Sequence, residues 1–176
     1  VRHDGDMGMR LKACGELVEL LARHHAAGGV GGAVEDDKSR CRGDLCQHFI
    51  RIEGKPMGLI ANNPHHLAGA IDSDGADKGA RFMQLCDAFD IPMLSLMDCP
   101  GIMVGPDVER TALVRHSTRM FNTGANLTTP LFGVIVRKAY GLGVQAMCGA
   151  SALVGFFTVA WPTAEFAGMN IEGAVK

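Results

Sequence analysis

Apolar positions along the chain recur first at helical and then at strand spacing. Leu11, Cys14, Leu17, Val18 and Leu21 return at steps of three and four, which predicts an amphipathic helix over residues 7–27. His24 and His25 close it, and adjacent helical side chains diverge too far to share a metal, so they read as a solvated helix end. Glycines around Val30 read as a linker, and residues 35–44 are charged without periodicity. Residues 47–60 then alternate on both sides of Gly54-Lys55-Pro56, the pattern of a β-hairpin, which Asn62-Asn63-Pro64 ends.

Beyond the hairpin, strands and helices alternate. Asp72-Ser73-Asp74 supplies an N-cap and first turn for a helix over 76–89, with Ala80, Phe82, Met83, Leu85, Cys86 and Phe89 on its apolar side. Lys78 and Arg81 lie on the other side and read as a solvated face rather than a phosphate grip. Residues 91–97 are almost continuously apolar, as in a strand buried on both faces. A mixed apolar and basic pattern predicts one helix over 107–124, on which His116 reads as a satisfied rather than a catalytic histidine. After Pro130 come a strand at 131–136, a helix of small residues at 144–152 and a strand at 156–160. Trp161, the only tryptophan, reads as a packing anchor at that strand's end. The order ββ, α, β, α, β, α, β predicts an α/β domain with parallel strand pairs.

Composition narrows the classes. The 176 residues suit one domain, and 47% hydrophobic residues can bury a core. A net charge of −2 argues against nucleic acid or a membrane surface as partner, and 6% aromatic residues argue against base-stacking platforms. None of the six cysteines forms a C-x-x-C pair, so no metal is expected and a reducing, cytoplasmic setting is the simpler one. No apolar run reaches bilayer length and the first residues lack signal-peptide order. A start at Val1 without an initiator Met and an end at Lys176 without a stop signal suggest a piece of a longer protein.

The candidate chemistry lies at two strand exits. One is Val136 to Gly143, where a β-branched run meets glycines and then a helix. A helix start offers unpaired N–H groups and a positive dipole end to an anion or a developing oxyanion. A glycine turn serving only chain reversal is the plainer alternative. The other exit is Asp98-Cys99-Pro100-Gly101 with Gly105-Pro106. Asp98 is either an acid or base, or a cap on the N–H groups of its own loop, and loop chemistry favours the cap.

Several stretches carry a family resemblance: RIEGKPMGLIANNP at 51–64, KGARF at 78–82, CDAFDIP at 86–92, DCPG at 98–101, RKAYG at 137–141 and AWPTAE at 160–165. From about Phe49 to Lys176 the chain resembles the C-terminal lobe of the carboxyltransferase (β) subunit of biotin-dependent acyl-CoA carboxylases, of the propionyl-CoA carboxylase kind. Residues 1–46 match poorly, and residues 47–176 form a lobe truncated at its end.

The resemblance implies a crotonase-like spiral of ββα units, and transfer of CO₂ from carboxybiotin to a short-chain acyl-CoA such as propionyl- or acetyl-CoA. Charge then develops on the ureido and thioester oxygens, which need fixed N–H donors rather than a nucleophile or metal. It implies Leu142 and Gly143 as backbone donors, with Gly101 in the loop that faces them. Pro100, Ile102, Tyr140, Gly141 and Gln145 would line the substrate site. Leu142 and Gln145 stand where many relatives carry Gly and Asp.

Implied partners are the acyl-CoA, a biotin carboxyl carrier and biotin carboxylase, an N-terminal carboxyltransferase lobe, and further copies in a homo-oligomer, a hexamer by resemblance. The implied location is the cytoplasm, or the mitochondrial matrix in a eukaryote. The same motifs would serve a biotin-dependent acyl-CoA decarboxylase, and a lone lobe could also act as a non-catalytic scaffold. A single-lobe hydratase is disfavoured, because no paired glutamates are placed after the glycine turns, where Glu165 stands alone.

Overall fold

Strand β1 (Leu45–Ile52) and strand β2 (Lys55–Asn62) form the expected hairpin, turning at Gly54 with φ of 80°. The computed structural model describes residues 45–52, 54–151 and 156–169. The helix expected at 7–27, the linker and the charged stretch at 35–44 lie outside the described residues. Strand β3 (Met93–Cys99) and strand β4 (Leu131–Tyr140) follow β2 in parallel, and strand β5 (Phe157–Ala160) completes the order β1-β2-β3-β4-β5. Strand β6 (Glu165–Ala167) also pairs with β4, beyond the stretch that β5 occupies.

Helix α1 (Ser73–Ala88) begins where Asp72 accepts a 2.9 Å hydrogen bond from the Gly75 N–H, as the capping residues predicted. Its Ala76, Ala80, Phe82, Met83 and Cys86 are buried with Ile60, Met93, Met97 and Ile135 of the sheet. A smaller cluster of Ile50, Leu59, Ala61 and Leu96 occupies the opposite face, as strand alternation requires.

The helix expected at 107–124 is instead two: α2 (Pro106–Glu109) and α3 (Leu113–Ala125), separated at Ala112 with φ of 57°. Thr111 explains the break. Its hydroxyl donates to the Val108 carbonyl at 2.6 Å and meets the Ser73 hydroxyl at 2.5 Å, which ends the first helix against α1. The redirected α3 then buries Leu113, Ser117, Met120 and Gly124. Close approach to α1 depends on Gly79, where a Cβ would lie 3.0 Å from Leu45 and Met120 side-chain atoms.

Other expectations shift by a few residues. Strand β3 starts at Met93, because Ile91 N–H turns back to the Cys86 carbonyl and Pro92 has no N–H to give; the Pro92 carbonyl accepts from Gly58 N–H as the first bond of the ladder. Strand β4 continues past Val136 to Tyr140, and helix α4 (Gly141–Met147) follows with no separate turn, ahead of the helix expected at 144–152. Trp161 is 55% exposed, so it is no packing anchor within these residues; its N–H is fixed by the Ile135 carbonyl at 2.9 Å.

At the β4–β6 junction the buried Tyr140 donates its hydroxyl to the Glu165 carboxylate. Burial, then this bond and the nearby negative charge, push the phenol up to about 12. The ordinary value is about 10. Between those two values the folded chain holds the proton that the unfolded chain has lost, so this contribution to stability falls as pH rises through that window. Tyr140 is the only tyrosine, so phenolate absorbance reports it directly. Titration of the folded chain is expected to give a midpoint near 12, and near the ordinary value in denaturant; a folded midpoint at the ordinary value would refute the buried pair. Met83 is fully buried, and Met83→Ala is expected to lower unfolding free energy by about 2–5 kcal/mol in chemical denaturation.

Candidate functional site

The exits of β3 and β4 meet. After β3 the chain passes through Pro100, Gly101 with φ of 138°, and Ile102. After β4 it passes through Gly141, with φ of 55°, into α4. A Cβ on Gly143 would lie 2.5 Å from Cys99 Sγ and 2.8 Å from the Gly101 Cα and carbonyl carbon. Real side chains do not approach backbone that closely, so glycine is needed at 143 for space. At Gly101 the need is conformational, since a Cβ there would meet only the Tyr140 carbonyl oxygen, at 3.9 Å.

The facing loop is fixed from behind. Ile71 N–H donates to the Gly101 carbonyl at 3.1 Å, and Met103 N–H donates to the Ile71 carbonyl at 2.9 Å, bracketing Ile102. On α4, Leu142 is 58% exposed and Gln145 is exposed, while Gly143, Val144, Ala146 and Met147 are buried. Spacing of three residues puts Leu142 and Gln145 on one side of the helix. The first turn of α4 carries no acidic side chain of its own. Gly101, Ile102, Gly141, Leu142, Gly143 and Gln145 are therefore gathered at one edge. Tyr140 lies beneath that edge, with its hydroxyl committed to Glu165.

Asp98 neither stands in an open site nor caps its own loop. It is 4% exposed, and both its carboxylate oxygens lie 2.9 Å from Arg137 Nε on the neighbouring strand. It also accepts from Lys138 N–H at 3.4 Å. Its own N–H donates to Asn62 Oδ1 at 3.2 Å, and Asn62 Nδ2 donates to the Gly69 carbonyl at 3.1 Å. The Asp98–Arg137 pair escapes a motif-by-motif reading of the sequence. A signal was available: each glycine motif is preceded, three or four residues earlier, by a charge of opposite sign to the other's.

Several other reactive groups are occupied elsewhere. Burial raises the Cys86 thiol to about 11 and also raises Cys148, so both stay protonated and non-nucleophilic near neutrality. His116 Nδ1 lies 2.9 Å from Asp77, which Arg119 also contacts, in keeping with a satisfied histidine. Lys78 Nζ donates to the Leu45 carbonyl at 2.6 Å rather than standing as a phosphate grip. Among the described residues no group of three His, Cys, Asp or Glu could hold a metal, and no helix is long and apolar enough to cross a membrane.

Residues 47–176 match the carboxyl transferase domain family. The propionyl-CoA carboxylase β chain of Roseobacter denitrificans is 42% identical over 128 residues, covering 73% of this chain and 25% of that protein. A single-chain, multi-domain long-chain acyl-CoA carboxylase of known structure is 54% identical with a TM-score of 0.73, covering 75% of this chain and 14% of that one. The transcarboxylase 12S structure, a hexamer assembly with methylmalonyl-CoA bound, is 38% identical with a TM-score of 0.71, covering 75% and 26%. The chain thus spans about a quarter or less of these proteins. Sequence match and fold agree with each other: this chain belongs to the carboxyl transferase domain family and has the crotonase-like α/β fold of the acyl-CoA carboxylase carboxyltransferases.

Proposed function

We propose that this chain supplies the biotin-facing half of a carboxyltransferase that moves CO₂ from carboxybiotin to the α-carbon of an acyl-CoA. The observation that carries this reading is the contact of Gly143 with Gly101, which joins a helix start and a facing loop into one edge. Biotin, attached to a carrier domain or subunit, supplies the carboxyl group and a ureido oxygen on which charge develops. The backbone N–H groups of Leu142 and Gly143 would hold that oxygen. The residues fit such a group: the donors belong to the main chain, no acidic side chain sits in the first turn, and the exposed Leu142 gives apolar contact beside them. Gly101 and Ile102 form the opposite wall, and burial of Gly143 keeps water from one side.

The acyl-CoA and the rest of the active site would come from an N-terminal carboxyltransferase lobe, with a biotin carrier and biotin carboxylase as further partners. The hexamer described for transcarboxylase 12S supports a homo-oligomer. Leu142 and Gln145 project from one side of α4 and would border the acyl group. Resemblance to propionyl-CoA carboxylases favours a short acyl chain. The 54% identity to a long-chain acyl-CoA carboxylase makes acyl length the first variable to measure.

The complete subunit carrying this chain is expected to catalyse carbon exchange from methylmalonyl-CoA or malonyl-CoA in the presence of free biotin, whichever net direction it runs. Propionyl-CoA and a long-chain acyl-CoA should be compared side by side. No exchange with any acyl-CoA by folded subunit would sink the proposal. Gly143→Pro is a poor test of the donors, because any side chain there strikes Gly101. Ester substitution of the Leu142 or Gly143 amide removes only the N–H. Each ester is expected to lower kcat by about 10²–10³-fold, the usual loss for one oxyanion donor. Full turnover by both esters would refute the backbone role.

A further inference from the structure

We infer that Asp98 and Arg137 act as a positioning pair that aims the start of α4 at the reacting oxygen. This inference rests on the carboxyltransferase reading of the same site. Its basis is a gap in the sheet. On the β3 side, Met97 pairs with Ile135 and Cys99 with Ala139, so β3 advances two residues while β4 advances four. Residues 136–138 therefore stand opposite Asp98 alone. On the other side, β5 pairs as far as Ile135 and β6 resumes at Lys138. Both ladders that hold β4 are interrupted around Arg137, three residues before Tyr140 and four before Gly141.

Asp98 spans this gap. Its carboxylate takes Arg137 Nε on both oxygens at 2.9 Å and the Lys138 N–H at 3.4 Å, so the bulge is tied to β3 through a side chain instead of the missing ladder. The pair is largely out of water, with side-chain exposures of 13% for Arg137 and 6% for Asp98. Low exposure strengthens the attraction and limits alternative partners. The same aspartate is fixed through its main chain. Its N–H reaches Asn62, and its carbonyl sits where a Cβ on Gly69 would lie, at 2.3 Å. A bulge of this kind bends its strand and re-aims the chain beyond it, here the donors in α4.

Asp98→Asn, Arg137→Gln and the double variant, made in the complete subunit, test the pair. Each single variant is expected to lower kcat on the order of 10²-fold with KM for acyl-CoA unchanged, the signature of stabilisation lost only in the transition state. The double variant should lose no more than either single one. Arg137→Lys keeps the charge but has no donor at the position of Nε, so it should hold the thermal midpoint near wild type and still lose kcat. Amide hydrogen exchange over residues 139–147 should rise in every variant, and this readout does not depend on turnover. Absence of exchange activity in wild type would count against the carboxyltransferase reading, whereas an active wild type with unimpaired variants overturns the positioning pair. Unchanged amide exchange overturns it too. Unfolding of Asp98→Asn and Arg137→Lys alike would also overturn it, by making the pair a support of the fold alone.

Discussion

Two backbones touch where Gly143 meets Gly101, and this contact constrains everything near it. There is no room for even a methyl group between them. The two strand exits must therefore arrive at one place from adjacent parallel strands, which fixes the lengths of β3 and β4. It also fixes the sharp entry into α4, because Gly141 adopts φ of 55° directly after the strand. A small shift in either exit would open the contact or drive it into collision. Close-packed interiors transmit such shifts rather than absorbing them.

The elements of the sheet were legible because each announces itself locally. Alternation marks β1 and β2, a continuous apolar run marks β3, and Asp72 caps α1 as its residue type suggests. What the sequence hides depends on partners far along the chain. The break at Ala112 follows Thr111, whose hydroxyl bonds the Val108 carbonyl locally but also meets the hydroxyl of Ser73, 38 residues earlier, and that second contact has no local signal. The extension of β4 to Tyr140 crosses two charged residues that periodicity reads as the end of a strand, because Arg137 is neutralised by Asp98 from the next strand. Strand β6 has only three residues and no pattern of its own; the end of β4 beyond β5 gives it a place to pair.

The candidate site shows the same division. Glycines at 101, 141 and 143 point to two tight strand exits, and the structure brings them to one edge. Their distinct requirements were not readable: space at 143, conformation at 101 and 141. Tyr140 reads as a residue of the edge but lies beneath it, because its hydroxyl finds Glu165 across β6. Asp98 reads as a loop cap but serves as a cross-strand counter-ion. In each case the missing information is which strand neighbours which, a property of the fold rather than of any short segment.

Strand β4 is measured on two edges at once, and this couples segments that lie far apart along the chain. Between β5 and β6 the chain runs through residues 161–164, turning where Ala164 N–H meets the Trp161 carbonyl at 2.9 Å. That turn covers the interval on β4 between Ile135 and Lys138, the same interval that bulges away from β3. A deletion in either segment would leave the other too long, and an insertion would leave it too short. Residues 136–138 and 161–164 thus cover one and the same interval of the sheet, so a change in the length of either alters the distance the other has to bridge, although they belong to separate parts of the chain.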